Sequence, residues 1–188
     1  TAKQHTEELG KVKDFEEHEL ADLYETIGLG AMKFYLLRVD PKKRMIFNPE
    51  ESIDFHGFTG PFVQYTYARI QSVLRKVDSS QLTVNSKILP DNRQPTTDNL
   101  LPLEKELILA IEQYSQTLEQ AANELNPSVI ANYVFDLAKT FNSFYTEHSI
   151  ANAESEEKKQ LRLQIASMTA NVIKSSMQLM GIQVPERM

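Results

Sequence analysis

The chain has no cysteine. That single absence excludes disulfides, cysteine-ligated zinc and thiol nucleophiles, and it is compatible with a reducing compartment. Glycine and proline are sparse, six and eight in 188 residues, and there is neither a low-complexity tract nor an internal repeat, so fibrous and solenoid architectures drop out. No apolar run approaches the roughly 18 residues that span a bilayer. The opening stretch TAKQHTEELGKVKDFEEHEL is polar and acidic where a secretory signal is basic and then apolar. A cytoplasmic location, with no membrane partner, is the expectation.

The motifs of common chemistries are missing too. Gly28-Leu29-Gly30 lacks the third glycine of a dinucleotide loop and follows a helix-like stretch, and no GxxxxGK[ST] phosphate loop occurs. His5, His18, His56 and His148 are scattered and share no metal-ligand spacing. Ser79-Ser80 and Ser175-Ser176 have no glycine elbow and no adjacent histidine. Acidic pairs such as Glu16-Glu17 and Glu156-Glu157 sit in first turns of helices, where they complement the dipole. No catalytic, cofactor-binding or metal-binding residue is assigned.

What is present is an ordinary globular composition, 41% hydrophobic and 24% charged, long enough for one domain with an appendage. The net charge of −6 argues against nucleic acid at first sight, but its distribution is uneven. Residues 1–32 carry three basic and eight acidic side chains, 33–76 eight and four, and 77–188 nine and fourteen. A locally positive middle inside an acidic chain can meet a phosphate backbone. The first residue is Thr1, not Met, which reads as a fragment of something longer.

Hydrophobic periodicity predicts helices throughout. Leu20, Leu23, Ile27, Ala31 and Phe34 recur at three- and four-residue spacing over 15–37, with Gly28 and Gly30 as a weak point, and Asp40-Pro41 ends the element. Residues 41–60 read as a structured connector with a short extended run at 44–47 and an Asn48 cap before Pro49-Glu50-Glu51. A helix from Gly60-Pro61 to about Val77 follows, then a polar stretch, 79–102, read as a mobile loop. Three further helices carry the stripes Leu107, Ile111, Tyr114, Leu118, Ala121; then Ile130, Val134, Leu137, Phe141, Phe144; then Leu161, Ile165, Met168, Val172, Leu179. Pro127 follows Asn126 as a cap, and Gly181 is placed as a C-cap glycine. The fold class is therefore all-α, an antiparallel helical bundle.

The 61–77 helix separates into two faces at about 100° per residue. Val63, Tyr67, Ile70, Leu74 and Val77 form one; Phe62, Tyr65, Arg69, Ser72 and Lys76 interleave rings and cations on the other. Rings stack on unpaired bases and cations pair with phosphates, a combination suited to single-stranded or looped RNA. Packing of both faces inside a bundle explains the same pattern.

Four segments resemble one family. IGLGAMKFYLL at 27–37, IDFHGFTGPFVQYTYARIQSVLRK at 53–76, NYVFDLAKTFNSFYTEH at 132–148 and the ending LMGIQVPERM are similar to the C-terminal part of arginyl-tRNA synthetases, over nearly the whole chain. The resemblance implies a class I, DALR-type anticodon-binding bundle over 53–188, with 1–52 a helical connector from a catalytic domain that would precede Thr1. It implies a parent enzyme that joins arginine to its tRNA with ATP and magnesium, and a fragment inactive alone. Arginine tRNA, through its anticodon loop and stem, is the implied partner; DNA is not, and the chain is expected to be a monomer.

Carried over by motif, the tRNA-binding residues are Phe62, Tyr65, Asn142, Tyr145 and Met188, with Arg69 added on the combined strength of motif and face. Position 62 is phenylalanine where the family often has tyrosine, so stacking survives without a hydroxyl contact. Asn142 lies about 120° from the centre of its helix's apolar stripe, which leaves its amide available to a base edge. Two other readings accommodate the sequence: a helical protein-interaction scaffold, and the anticodon domain of another class I synthetase such as the cysteinyl enzyme.

Overall fold

The computed structural model describes residues 15–81 and 100–188. Within them the chain forms seven helices: α1 (Glu17–Leu37), α2 (Pro49–Ser52), α3 (Gly60–Gln81), α4 (Pro102–Glu112), α5 (Tyr114–Glu124), α6 (Ser128–Glu147) and α7 (Glu156–Leu179), with no strand among the described residues. His5, and the mobile loop expected at 79–102 apart from its edges at 79–81 and 100–102, lie outside the described residues.

The weak point expected at Gly28 and Gly30 does not interrupt the first helix. α1 is continuous, because Gly28 and Gly30 are tolerated in a helix held by packing. Gly30 instead marks a close crossing. A Cβ on Gly60 would lie 2.6 Å from the Gly30 carbonyl oxygen and 3.0 Å from the Phe34 Cβ, and one on Gly30 would lie 2.5 Å from the Gln64 amide nitrogen. The two glycines let α1 and α3 meet backbone to backbone.

Between them the connector is ordered by side chains. Asn48 Oδ1 accepts from the N–H groups of Glu50 and Glu51 to cap α2, as its sequence predicts. Arg38 stacks on Tyr35 at 4.0 Å, donates to the Phe58 carbonyl and pairs with Glu51 at 2.5 Å. Thr59 starts α3: its hydroxyl donates to the Asp54 carbonyl and accepts from the Phe62 N–H at 3.3 Å.

α3 is the central element, packed against α1, α6 and α7. It runs to Gln81, one turn beyond the predicted stop near Val77, since serine and aspartate weaken a helix without ending it. The single helix expected over 107–121 is two, divided at Gln113, whose N–H donates to the Leu109 carbonyl to close α4 and whose carbonyl accepts from the Thr117 N–H to open α5. The α7 stripe is also displaced. Met168 and Leu179 are exposed, and the buried face is Arg162, Ile165, Ala166, Thr169, Ala170, Ile173, Ser176 and Met177. Small side chains bring this helix close to its neighbours, so steric fit overrides bulk in choosing the inward face. Leu107, Val134, Leu137, Phe141 and Phe144 are buried as predicted.

Arg162 is buried because its partners are present. Glu104, fully enclosed on α4, accepts from Arg162 Nε at 2.9 Å and Lys158 Nζ at 2.6 Å, while Arg162 also reaches Glu154 at 2.7 Å and the Ser149 carbonyl at 2.7 Å. Burial by itself pushes the Glu104 carboxyl up, but the hydrogen bonds from Lys158, Arg162 and the Leu101 N–H outweigh it and hold the group below the usual carboxylate range.

Candidate nucleic-acid interface

One cleft of about 1130 Å³ opens along α3 from Tyr65 to Lys76, between that helix, the C-terminal end of α6 and the chain terminus. Tyr65, Arg69, Tyr145 and Met188 line it, with Phe15, Ser72, Arg75, Lys76, Ser149 and Arg187 around them. Four cations face this space, and among the described residues no acidic side chain lines it. The positive charge is therefore concentrated within an acidic chain, which focuses the field on one concave surface.

Arg69 is the centre. Its guanidinium carbon stands 4.8 Å from the Tyr65 ring and 5.3 Å from the Tyr145 ring, so the cation bridges two tyrosines from different helices. Each ring is backed from behind. Tyr65 meets Phe55 edge-on at 6.4 Å, and Tyr145 stacks on Phe141 at 6.4 Å while remaining 40% exposed. Arg69 Nη1 donates to Asn142 Oδ1, and Asn142 Nδ2 donates to the Thr66 hydroxyl at 2.8 Å. Asn142 thus engages both ends of its amide within the protein, half-buried behind Arg69 rather than standing open at the surface.

Met188 reaches the cleft because the terminal segment is fastened along α1 and α3. α7 closes at Gly181, whose φ of 69° is the left-handed conformation expected of a C-cap glycine. Beyond it the segment forms no ladder, and side chains take up its carbonyls. Lys33 Nζ donates to the Gly181 carbonyl at 2.6 Å, Gln64 Nε2 to that of Gln183 at 2.7 Å and Arg75 Nη1 to that of Glu186 at 3.1 Å. The Met188 side chain then packs on the small cluster of Leu23, Ile27, Ala31, Ile53 and Phe55, beside Tyr65. Arg187 lies over the Phe15 ring at 4.4 Å.

Phe62 is elsewhere. It is not among the residues lining the cleft; its ring packs against Phe135 at 5.1 Å, in a chain of rings that continues through Phe58 to Phe34. Five of the six residues singled out from the sequence, Tyr65, Arg69, Asn142, Tyr145 and Met188, are gathered in one network. Arg75, Arg187, Phe15 and Thr66 join them without having been singled out. Arg75 lies off the Tyr65-Arg69 face, and Phe15 and Arg187 meet only through the tertiary fold, so no spacing signals them. Among the described residues there is no group of three metal-ligating side chains, and no helix long and apolar enough to cross a membrane.

A family model described as the DALR anticodon binding domain matches residues 63–188, about two thirds of the chain. The chain belongs to the DALR anticodon binding domain family. It is 50% identical over its whole length to an arginine–tRNA ligase of Flavobacterium psychrophilum, covering 30% of that protein, and 43% identical to an arginine–tRNA ligase of Parabacteroides distasonis, again covering 30%. Among solved structures, Thermus thermophilus arginyl-tRNA synthetase matches the whole chain with a TM-score of 0.81 at 28% identity, the match covering 30% of that protein. Plasmodium falciparum arginyl-tRNA synthetase shares the fold, also at a TM-score of 0.81, with 24% identity. The chain thus spans about 30% of the length of the curated relatives it matches, and its helical architecture is that of the matching part of the Thermus thermophilus enzyme.

Proposed function

We propose that this DALR domain grips the anticodon loop of arginine tRNA as part of an arginine–tRNA ligase. One observation carries the reading: the cleft joins the half-buried Tyr65 ring, the exposed Tyr145 ring, a guanidinium held between them and further cations, with no acidic side chain among the described residues that line it. Unpaired bases stack on the rings while the loop phosphates meet Arg75, Lys76 and Arg187. Met188 lies against a base at the cleft edge, and Asn142 acts through Arg69. Phe62, packed on Phe135 away from the cleft, serves the bundle and not the binding wall. In this reading the domain binds and does no bond chemistry. Arginine, ATP and magnesium are handled by a catalytic domain to which residues 1–52 connect. The protein works in the cytoplasm as a monomer.

Binding of the chain to arginine tRNA transcripts with native and substituted anticodon loops, at two salt concentrations, tests this. The expected result is salt-sensitive binding, because phosphate contacts release counterions, that weakens with loop substitution and falls about 5-fold or more in Tyr65→Ala from lost stacking of about 1–3 kcal/mol. Binding indifferent to salt and loop sequence would instead assign the cleft to a protein partner.

A further inference from the structure

Behind the cleft wall lies a polar relay that the binding surface itself does not explain. Thr66 is fully enclosed on α3, and it does not line the cleft. Its hydroxyl donates to the Phe62 carbonyl at 2.9 Å and accepts from Asn142 Nδ2 at 2.8 Å; Asn142 Oδ1 accepts from Arg69 Nη1. The two ends of this chain have fixed polarity. A backbone carbonyl only accepts and a guanidinium only donates, whereas a hydroxyl and an amide can each do both. With its proton committed to Phe62, the Thr66 oxygen presents an acceptor. Asn142 must then turn its NH2 toward Thr66 and its carbonyl toward Arg69. No other hydrogen bond of Arg69 is present among the described residues, so Nε and Nη2 are left for an acceptor brought into the cleft.

We propose that Thr66 is a positioning residue for nucleotide recognition: its hydroxyl sets the orientation of the Asn142 amide and, through it, the plane of the Arg69 guanidinium between Tyr65 and Tyr145. The proposal rests on the reading of the cleft as an anticodon-loop site. It makes Arg69 a pre-oriented donor in place of a loose surface charge, so its contribution is to discrimination between loops more than to charge attraction. An arginine paired only through its charge tolerates many geometries; one locked in plane rewards only an acceptor that matches its remaining N–H groups.

Thr66→Val keeps the β-branched shape and removes the hydroxyl, and Thr66→Ser restores it. Two readouts are needed. Without RNA, nitrogen-15 NMR follows the Arg69 Nε–H and Asn142 Nδ2 signals; they should be slowly exchanging in wild type and Thr66→Ser and broadened or averaged in Thr66→Val. With arginine tRNA, the preference for native over substituted anticodon loops should fall about 3- to 10-fold in Thr66→Val, the size of one lost hydrogen-bond contribution, and return in Thr66→Ser, while the salt dependence stays as in wild type. Thermal melting confirms that each variant is folded. Unchanged NMR signals in folded Thr66→Val would overturn the relay. Lost signals with loop preference intact would overturn its role in recognition. If wild type itself shows no loop preference, the anticodon reading and the recognition role fall together, and the NMR comparison still decides the relay.

Discussion

The Gln64 side-chain amide donates to the Gln183 carbonyl at 2.7 Å, joining positions 119 residues apart. The same nitrogen donates to the Thr26 carbonyl at 3.1 Å, so one fully enclosed side chain ties the second turn of α3 to α1 and to the terminal segment. Gly30 makes room for it, since any Cβ there would fall 2.5 Å from that nitrogen.

Gln64→Leu removes the donor and leaves the Gln183 carbonyl without it, while the Thr26 carbonyl stays within the helical ladder of α1. The expected cost is about 1–3 kcal/mol of stability, from an unsatisfied polar group in the interior. The more specific outcome is local: hydrogen exchange at residues 182–188 should speed up while α6 and α7 keep their protection. Equal protection of the tail in variant and wild type would show that Lys33 and Arg75 suffice to hold it.

Glu104 gives a pH prediction. Its carboxyl is held below the usual range by Lys158, Arg162 and the Leu101 N–H despite its burial. A depressed folded value stabilises the fold above the unfolded pKa, and this stabilisation is lost as pH falls through the folded value. Urea unfolding between pH 7 and pH 3 should show stability constant at the upper end and falling from about pH 4.5 downward. Glu104→Ala should cost about 3–5 kcal/mol at neutral pH by stranding buried Arg162, and should flatten that acid fall. An unchanged acid profile in the variant would place the sensitivity in other carboxylates.

Phe62 and Tyr145 should separate stability from recognition. Phe62→Ala removes a half-buried ring from the contact with Phe135, at about 1–3 kcal/mol, and should leave loop preference alone. Tyr145→Ala takes away an exposed cleft ring, so it should cost little stability and weaken RNA binding. Calorimetric melting and the same tRNA titrations measure both. A Phe62→Ala protein that melts as wild type but loses loop preference would return Phe62 to the RNA surface.

The sequence conveys local commitments well and partnerships poorly. The Asn48 cap, the Gly181 turn and the Val63, Tyr67, Ile70 core face all follow from short-range rules, because a cap or a helical stripe involves residues within one or two turns. The inward face of α7 did not follow. Bulk pointed to Met168 and Leu179, while the structure buries Arg162, Thr169 and Ser176; Arg162 is paired by Glu104 of α4, and the Thr169 hydroxyl bonds back to the Ile165 carbonyl of its own helix. Asn142 shows the same limit at the candidate site: its angle off the core stripe was legible, but both of its partners sit on α3, more than seventy residues away.

By itself the sequence determined that the chain is helical, where most helices start and stop, and that Tyr65 and Arg69 share a face, since each depends on backbone propensity and period within a few turns. The tertiary structure alone decided that Tyr145, Asn142 and Met188 meet that face, that Phe62 turns away from it, and that Thr66 stands behind Arg69. Those outcomes depend on which helix packs on which and at what distance, and hydrogen bonds between distant residues exist only once that packing has brought donor and acceptor within about 3 Å.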